Sequence, residues 1–434
     1  MTSQNRRLTM KDKHTKYPQL RFKGFTDPWE KRTLGQTTTK AKSYSLSRDV
    51  ERDHETGYRY IHYGDIHTGV ADIVTEHTKL PNIEPANYDE LRVNDLVVAD
   101  ASEDYQGIAE PAVVVGLPTH LVAGLHTITL RPSSASSLYL YYLLHTDSFK
   151  HFGYQMGTGL KVFGISWSNL SKFTFMIPSR PEQEMIVKLI ESVDNLIAVN
   201  QRKLAKLKEL KQGYLQKLFP KNGSKFPQLR FAGFADAWEQ RKLIDLLNQP
   251  ITDGPHETPN LVEKGIPFIS ADAIVDNRID FSRKRGFITE EYDLQCRKKY
   301  GPELYDVYLV KSGSTVGKVA IVETTKQFNI WSPLAAMRCK GKTNPYFLYF
   351  LFQTKENQNQ VKSKASNGTQ PNLSMRELEQ FNVQISPLHD EQQKIGAFFK
   401  QLDSLITLHQ RKLEKLQELK KGYLQKMFLY LMHI

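Results

Sequence analysis

The sequence has little cysteine, no long apolar run and fewer acidic than basic residues. Two cysteines in 434 residues, Cys296 and Cys339, exclude a disulfide scaffold and a cysteine-rich metal site. No apolar run approaches the roughly 18–20 residues that span a bilayer, and no apolar stretch follows the basic N-terminus, so a secretory signal is not expected. The formal net charge of +12 suits a polyanionic partner. These features predict a globular cytoplasmic protein without membrane contact.

Motifs for catalysis are incomplete. The segment Gly313–Lys318 is one residue shorter than a phosphate-binding loop and is followed by valine instead of a hydroxyl residue, which favours a turn between strands. Asn344 and Pro345 are similar to part of the Asn-Pro-Pro-Tyr motif of amino-methylating DNA methyltransferases, but a helix N-cap followed by proline explains them better. The 13 histidines form no metal-ligand pair of useful spacing. We predict a non-catalytic binding protein that holds no metal or cofactor.

The chain contains a long internal repeat. Tyr17–Arg32 and Phe226–Arg241 are identical at 11 of 16 positions, and Asn200–Phe219 and His409–Phe428 at 15 of 20. Both pairs are displaced by 209 residues, so one long segment is duplicated whole. The predicted organisation is a disordered basic leader at 1–16, a first target-binding lobe at 17–180, a long helix at 181–219, a second lobe at 220–388, a second long helix at 389–428 and a tail at 429–434.

Each lobe has the pattern of a mixed α/β (α+β) fold. Apolar aromatic segments predict short buried helices at Leu138–Leu144 and Tyr346–Gln353. Segments rich in glycine and asparagine, Gly153–Gly159 and Ser363–Asn372, predict loops. Apolar or alternating runs predict strands at Leu96–Ala99, Ala112–Val115, Thr127–Leu130, Val307–Val310 and Val319–Val322.

The two helical segments carry coiled-coil patterns. Apolar residues recur every seven positions along two lines, and a span of about 38 residues predicts a rod of about 55–60 Å. Such a narrow apolar stripe needs a partner helix, for which the other copy is the nearest candidate. Polar residues interrupt both seams at matching places, among them Lys211 and Lys420. The predicted interface consists of Ile186, Ile190, Val193, Ile197, Asn200, Leu204, Leu207 and Tyr214 in the first helix and Ile395, Phe399, Leu402, Ile406, His409, Leu413, Leu416 and Tyr423 in the second.

The chain resembles the DNA-specificity subunit of type I restriction–modification systems. The resemblance rests on the matched leaders with Leu-Arg-Phe-x-x-Phe and Trp-Glu, the two Gly-Tyr-Leu-Gln-Lys segments and the order of lobes and helices. Asp253–Pro259, Ile266–Ile269 and Gly313–Lys318 of the second lobe are similar to turns and strands of that family's target-recognition domains. The first lobe keeps only Tyr60–Asp65 and Leu91–Ala99 in a recognisable form.

This resemblance implies that each lobe reads one half of a split, asymmetric target in double-stranded DNA. It also implies that the two helices pack antiparallel, set the spacing of the half-sites and dock two methylation subunits, which a motor/restriction subunit joins. S-adenosylmethionine, ATP and Mg²⁺ would belong to these partners. A duplicated adaptor whose lobes bind proteins is the alternative from the residues alone, and a methyltransferase acting by itself is the second.

Polar side chains on loops are the candidates for reading bases, and lysines for binding phosphates. For any single candidate, a solvated position without DNA contact is the alternative. In the first lobe the candidates are Tyr63, Asp104, Gln106, Gln155, Thr158 and Lys161, and in the second lobe they are His256, Thr258, Thr315, Lys318, Asn367, Gln370 and Asn372.

Overall fold

The structure is a computed structural model that describes residues 16–104, 107–159, 162–221, 223–366 and 371–430. The basic leader apart from Lys16, the end of the tail at 431–434 and four candidate residues lie outside the described residues; these four are Gln106, Lys161, Asn367 and Gln370. The chain forms two compact units. The first unit comprises Met1–Asn200 with Lys412–Ile434, and the second comprises Gln201–Arg411. Each long helix therefore contributes one part to each unit.

The first unit is a mixed α/β structure, as predicted. Its helices are α1 (Leu34–Thr37), α2 (Tyr63–His67), α3 (Ser137–Leu144), α4 (Asp147–Met156) and α5 (Trp167–Leu170). Its strands, numbered in chain order, are β1 (Glu30–Thr33), β2 (Thr38–Ala41), β3 (Glu51–Arg52), β4 (Tyr58–Ile61), β5 (Ile73–Val74), β6 (Asn82–Ile83), β7 (Leu96–Ala99), β8 (Ala101–Ser102), β9 (Pro111–Val114), β10 (His120–Ala123), β11 (Thr127–Pro132), β12 (Phe163–Gly164), β13 (Thr174–Ile177) and, from the C-terminal end, β25 (Leu429–Tyr430). They form sheets in the orders β2-β11-β7-β9-β5, β10-β4-β6-β3, β1-β13-β25 and β12-β8.

The second unit has the same mixture of elements. Its helices are α7 (Glu290–Arg297), α8 (Pro345–Leu351), α9 (Lys355–Lys364) and α10 (Met375–Glu379). Its strands are β14 (Glu239–Lys242), β15 (Thr252–Asp253), β16 (Ile266–Ile269), β17 (Ile274–Val275), β18 (Arg278–Ile279), β19 (Gly286–Ile288), β20 (Val307–Val310), β21 (Val319–Ile321), β22 (Asn329–Ile330), β23 (Leu334–Met337) and β24 (Asn382–Ile385). The sheet orders are β15-β23-β20-β21, β19-β16-β22, β14-β24 and β17-β18.

The central strands β7 and β20 are uniformly apolar because both of their faces are covered. In β7, Leu96 and Val98 pack in one core with α3, while Val97 and Ala99 pack in a second core with Ile61. In β20 the alternate residues divide in the same way between two cores. Strands that are buried on both faces lose the alternation of apolar and polar residues. The five predicted strands and two predicted short helices are confirmed.

Both loop predictions are wrong in part. The segment Ser363–Asn372 begins with the last two residues of α9, Ser363 and Lys364. The segment Gly153–Gly159 begins inside α4, which continues to Met156. Thr146 caps this helix, since its hydroxyl oxygen accepts from the backbone N–H of Phe149. A Cβ on Gly153 would meet Ile108 at 3.5 Å, so the glycine lies in the helix at a packed site instead of ending it.

A buried ion pair joins the repeated leader segment of each unit, Tyr17–Arg32 or Phe226–Arg241, to the start of a long helix. These helices are α6 (Arg180–Lys217) and α11 (His389–Met427). Arg21 donates to both carboxylate oxygens of Glu182 at 2.7 and 2.8 Å, and Arg230 contacts Glu391 at the same two distances. Each pair repeats at the 209-residue displacement, and both carboxylates are at most 1% exposed. The repeated leader motif is therefore the part of the sequence that anchors the helix.

The helix pair is antiparallel within each unit. In the first unit Asp194 contacts Lys420 at 2.6 Å, and Met427 packs in the same core as Ile186. In the second unit Lys211 contacts Asp403 at 2.7 Å, and the rings of Tyr214 and Phe398 lie 5.0 Å apart. All sixteen residues of the predicted interface are buried or half-buried. The two lysines that interrupt the seams each meet an aspartate of the other helix.

In each unit, the repeated leader segment hydrogen-bonds to the C-terminal end of a long helix. The backbone N–H of Leu20 donates to the carbonyl of Lys426 at 2.9 Å, and that of Leu229 donates to Lys217 at 2.9 Å. The segment Leu429–Tyr430 then adds to β13 as a third strand, which gives the start of the predicted tail a structural role. Within the described ranges, no helix is both long and apolar enough to cross a membrane.

Candidate nucleic-acid interface

In the first unit an aromatic and histidine cluster surrounds the candidate Tyr63. The Tyr63 ring lies 4.5 Å from the His62 ring, 5.3 Å from His126 and 5.8 Å from His67. Helix α2 positions Tyr63 and His67, and His62 caps its N-terminus by accepting from the Gly64 N–H at 3.1 Å. Burial lowers the pKa of His62, which keeps its imidazole an acceptor at this cap.

His67 connects this cluster to the segment that carries the candidate Asp104. Its Nε2 lies 2.9 Å from the carbonyl of Ala101, and its Nδ1 lies 3.2 Å from a carboxylate oxygen of Glu110. A carbonyl can only accept, so Nε2 carries a proton and the carboxylate favours a second proton on Nδ1. The hydrogen bond with Glu110 accordingly raises the pKa of His67. Within the same segment, a carboxylate oxygen of Asp104 accepts from the Gly107 N–H at 2.8 Å.

The structure brings three candidates of the first unit towards one edge. The backbone of Thr158 exchanges two hydrogen bonds with Gly164, and Gly164 pairs with Ala101 in the β12-β8 sheet. Thr158, Asp104 and Tyr63 therefore share the neighbourhood of β8. Gln155 lies in the last turn of α4, exposed, with its amide 3.1 Å from the His151 ring. It is a helical residue and not the loop residue that we predicted.

A buried aspartate organises the second unit's candidates. The Asp253 side chain is fully buried, and one of its oxygens accepts from the Lys299 amine. Its other oxygen lies 3.1 Å from His256 Nε2 and 3.3 Å from Lys311 Nζ, but neither contact has the alignment of a hydrogen bond. Three cationic or ionisable groups thus face one carboxylate. The exposed side chains of His256 and Lys299 remain accessible to an anion.

Other candidates of the second unit lie on two sides of this cluster. Asn372 pairs with Ser312, the neighbour of Lys311, which brings its loop next to Asp253. Thr258 is exposed on the same loop as His256. The turn that carries Thr315 and Lys318 reaches towards β17, where the Lys318 amine donates to the carbonyl of Ile274 at 3.4 Å.

Sequence reasoning missed the most basic part of this surface. The guanidinium of Arg285 lies 3.8 Å from the centroid of the Trp331 ring, and the Lys284 amine lies 4.8 Å from that of Phe287. Trp331 in turn donates its indole N–H to the carbonyl of Glu257, next to His256. Two basic triplets, at 283–285 and 297–299, are the signal in the sequence that indicates this patch.

The incomplete catalytic motifs have structural roles. Asn344 caps α8 by accepting from the Phe347 N–H at 3.0 Å, with Pro345 at the first helical turn, which confirms the N-cap interpretation. Gly313 and Gly317 have φ angles of +96° and +97° in the turn between β20 and β21, which confirms the turn interpretation. In the part of the chain that the structure describes, no group of three or more His, Cys, Asp or Glu side chains could hold a metal ion.

The family model of the type I restriction modification DNA specificity domain matches residues 26–209 and again residues 235–418. The chain belongs to this family. Its two matches coincide with the two copies of the internal repeat, and they confirm the predicted fold class, the DNA-specificity function and the presence of two target-recognition domains. The adaptor alternative is not favoured.

Known proteins agree with this assignment. Two relatives in Methanocaldococcus jannaschii are the type I restriction enzyme MjaVIII specificity subunit and a protein provisionally named as the MjaX specificity subunit. The chain is 22% identical to the first over 409 residues, covering 91% of each protein, and 23% identical to the second over 373 residues, covering 81% of this chain and 83% of the relative.

Two solved structures share the fold. The S subunit of a type I restriction–modification system from M. genitalium has a TM-score of 0.60 at 16% identity, covering 95% of this chain and 99% of that chain. A chain from a study of complex assembly and conformational transition of the type I R-M system has a TM-score of 0.53 at 16% identity, covering 92% and 97%.

Proposed function

We propose that each lobe reads one half of a bipartite, asymmetric site in double-stranded DNA, within a cytoplasmic complex that also contains two methylation subunits and motor/restriction subunits. In this proposal the chain itself is non-catalytic and supplies specificity. The long helices set the number of base pairs between the half-sites and present docking surfaces to the methylation subunits. S-adenosylmethionine, ATP and Mg²⁺ act in those partners.

The observation that carries this proposal is a contrast between a repeated frame and polar surfaces that differ. The frame is the arginine–glutamate pair of each unit together with the long helix that it anchors. The Arg21–Glu182 and Arg230–Glu391 pairs match to within 0.1 Å in both distances. The exposed clusters do not match, since the first places Tyr63 among three histidines, whereas the second combines Arg285 and Trp331 with lysines, His256 and Asp253. A protein that reads two different half-sites needs the same fold twice, with different exposed side chains in each lobe.

Mapping of methylated adenines tests the proposal directly. DNA exposed to the full-length chain with its methylation partner should carry modification at a two-part motif with a fixed gap. Alanine at Tyr63, Asp104 and Thr158 together should then relax one half of the motif, and alanine at His256, Thr258 and Asn372 the other half. A continuous palindrome, or equal loss at both halves in either variant, would contradict the split reader.

A salt series separates DNA binding from an adaptor role. Affinity of the full-length chain for duplex DNA should fall steeply with ionic strength, because each neutralised phosphate releases condensed counterions. Affinity that is indifferent to salt would favour a protein partner.

A further inference from the structure

Arg285 differs from most arginines of the chain because no carboxylate or carbonyl holds its guanidinium. Buried or half-buried carboxylates bind Arg21, Arg131, Arg230 and Arg338, for example. Among the described residues, the Arg285 side chain has no hydrogen-bond or ion-pair partner; it lies over the Trp331 ring and is exposed. All of its N–H donors therefore remain available to a ligand.

The Trp331 ring fixes the plane of this guanidinium. At 3.8 Å from the ring centroid, the central carbon of Arg285 lies over the ring in van der Waals contact, a distance that favours stacking of the guanidinium on the indole. Trp331 is itself held, because its indole N–H donates to the carbonyl of Glu257 at 3.2 Å and its backbone N–H donates to Ile269 at 2.9 Å. The arginine fork is thus oriented before any ligand binds.

The surroundings of Arg285 favour a nucleic acid. The loop that receives the Trp331 indole N–H also carries His256, and Lys299 is bound at the start of that loop through Asp253 and the carbonyl of Gly254. The loop packs closely on the strand segment of Trp331, since a Cβ on Gly254 would lie 2.9 Å from the Trp331 Cα. Basic side chains near an exposed arginine that is stacked on a ring can provide phosphate contacts beside a base contact.

We infer that Arg285 is a specificity-determining residue of the second lobe, that it reads a guanine by donating to O6 and N7 in the major groove, and that Trp331 is its positioning residue. A planar fork matches the two acceptors on the guanine edge, which is the commonest specific contact of arginine with a base pair. This inference rests on the proposed function and adds to it the base type and the residue that reads it.

The experiment compares target motifs, obtained by mapping methylated adenines, for the full-length chain and its variants in the complex with the methylation subunits. The wild-type motif should contain a G·C pair in one half-site. Arg285→Ala should lower the preference for that pair about ten- to a hundredfold and leave the other half-site unchanged, as expected for one bidentate contact. Arg285→Lys keeps the charge but loses the fork, and should relax the same position.

Neighbouring variants provide the controls. Lys284→Ala removes the same charge one residue away and should weaken binding to all sequences, lowering the salt slope by about 1 without changing base preference. Trp331→Leu should reproduce the loss of Arg285→Ala, and Trp331→Phe, which keeps an aromatic face, should recover much of it.

The outcomes separate this inference from the proposed function. A bipartite wild-type motif that Arg285→Ala leaves intact would overturn the role of Arg285 and leave the split reader standing. Loss of the same base preference in Lys284→Ala would also overturn it, because charge alone would then account for the effect. A wild-type motif without two separated halves would instead contradict the proposed function.

Discussion

The two lobes share a buried frame and differ in the groups that they expose. In both units an arginine of the leader binds a buried glutamate at the start of a long helix. The exposed cluster of the first unit contains two histidine–carboxylate pairs, His67 with Glu110 and His126 with Asp100, whereas only the second unit presents an arginine on a tryptophan ring, Arg285 on Trp331. The comparison teaches that the duplicated sequence encodes the frame and leaves the reading surfaces free to diverge.

The largest effect should come from breaking the frame. Glu182→Ala in the first unit, or Glu391→Ala in the second, leaves a nearly buried arginine without its partner. We expect each change to lower the free energy of unfolding of its own unit by about 3–5 kcal/mol. Native-state hydrogen exchange resolves the two units separately. Glu239→Ala removes the exposed partner of Arg241 and should cost under about 1 kcal/mol; losses of that size at Glu182 or Glu391 would contradict the shared frame.

A smaller effect should separate the two frames. Trp29 donates its indole N–H to Glu182 at 3.2 Å. Among the described residues the indole N–H of Trp238 has no acceptor, and the Ser386 hydroxyl donates to Glu391 instead. Both Trp→Phe changes remove similar volume, but only Trp29→Phe breaks a hydrogen bond to a carboxylate. We expect it to cost about 1.5–3 kcal/mol more than Trp238→Phe, measured as local unfolding free energies.

Two further variants check the reason for this difference. Ser386→Ala should destabilise the second unit, because it removes the donor that replaces the tryptophan there. Equal losses for the two Trp→Phe variants would show that the carboxylate does not depend on the indole.

The frame could be predicted from the sequence because repetition marks it. A shared displacement of 209 residues identifies the leader and the helices together, and a seven-residue spacing identifies the seam. The local patterns of β7 and α3 also suffice for their prediction. What the repeat did not indicate is that Arg21 and Glu182 bind each other, since a repeat locates matching segments and not their partners.

The reading surfaces could be predicted only in part. Tyr63, Asp104 and His256 are predicted as polar loop residues, and the structure places them in clusters. The loop prediction is wrong for Tyr63, which is the first residue of α2. Arg285 and Trp331 are 46 positions apart, and their contact depends on how β16 pairs with both β19 and β22. No local pattern contains such a pairing. Gln155 was misplaced because a glycine-rich segment predicts a loop even where packing against Ile108 lets the helix continue.

The seam lysines should show a still smaller difference between the units. The Lys211–Asp403 pair is 16% and 14% exposed, and Lys211 also donates to Gln353 at 3.0 Å. The Lys420–Asp194 pair is 29% exposed on both sides. We expect Lys211→Ala to cost about 1–2 kcal/mol and Lys420→Ala about 0.5–1 kcal/mol, because solvent screens the more exposed pair. Double-mutant cycles with the two aspartates measure each coupling, and a stronger coupling at Lys420 would contradict this order.

The smallest effect should be a pH dependence at His67 of the first unit. Hydrogen bonding to Glu110 raises the pKa of His67 above its ordinary value of 6.5, so its protonation stabilises the folded unit. The groups that face this imidazole are Glu110, the Ala101 carbonyl, the Tyr63 ring and Asp104. The stabilisation is complete below pH 6.5 and is lost as the pH rises through the folded pKa.

Amide exchange at Gly107, together with a titration of the His67 ring by NMR, measures this effect. The opening free energy around Gly107, whose Cβ position adjoins the His67 ring, should fall by a few tenths to about 1 kcal/mol between about pH 6 and pH 8. In His67→Gln it should be flat. His151→Gln, which removes an exposed imidazole from α4, should keep the wild-type slope. A His67 ring that titrates at or below 6.5 would show that Glu110 does not hold the second proton.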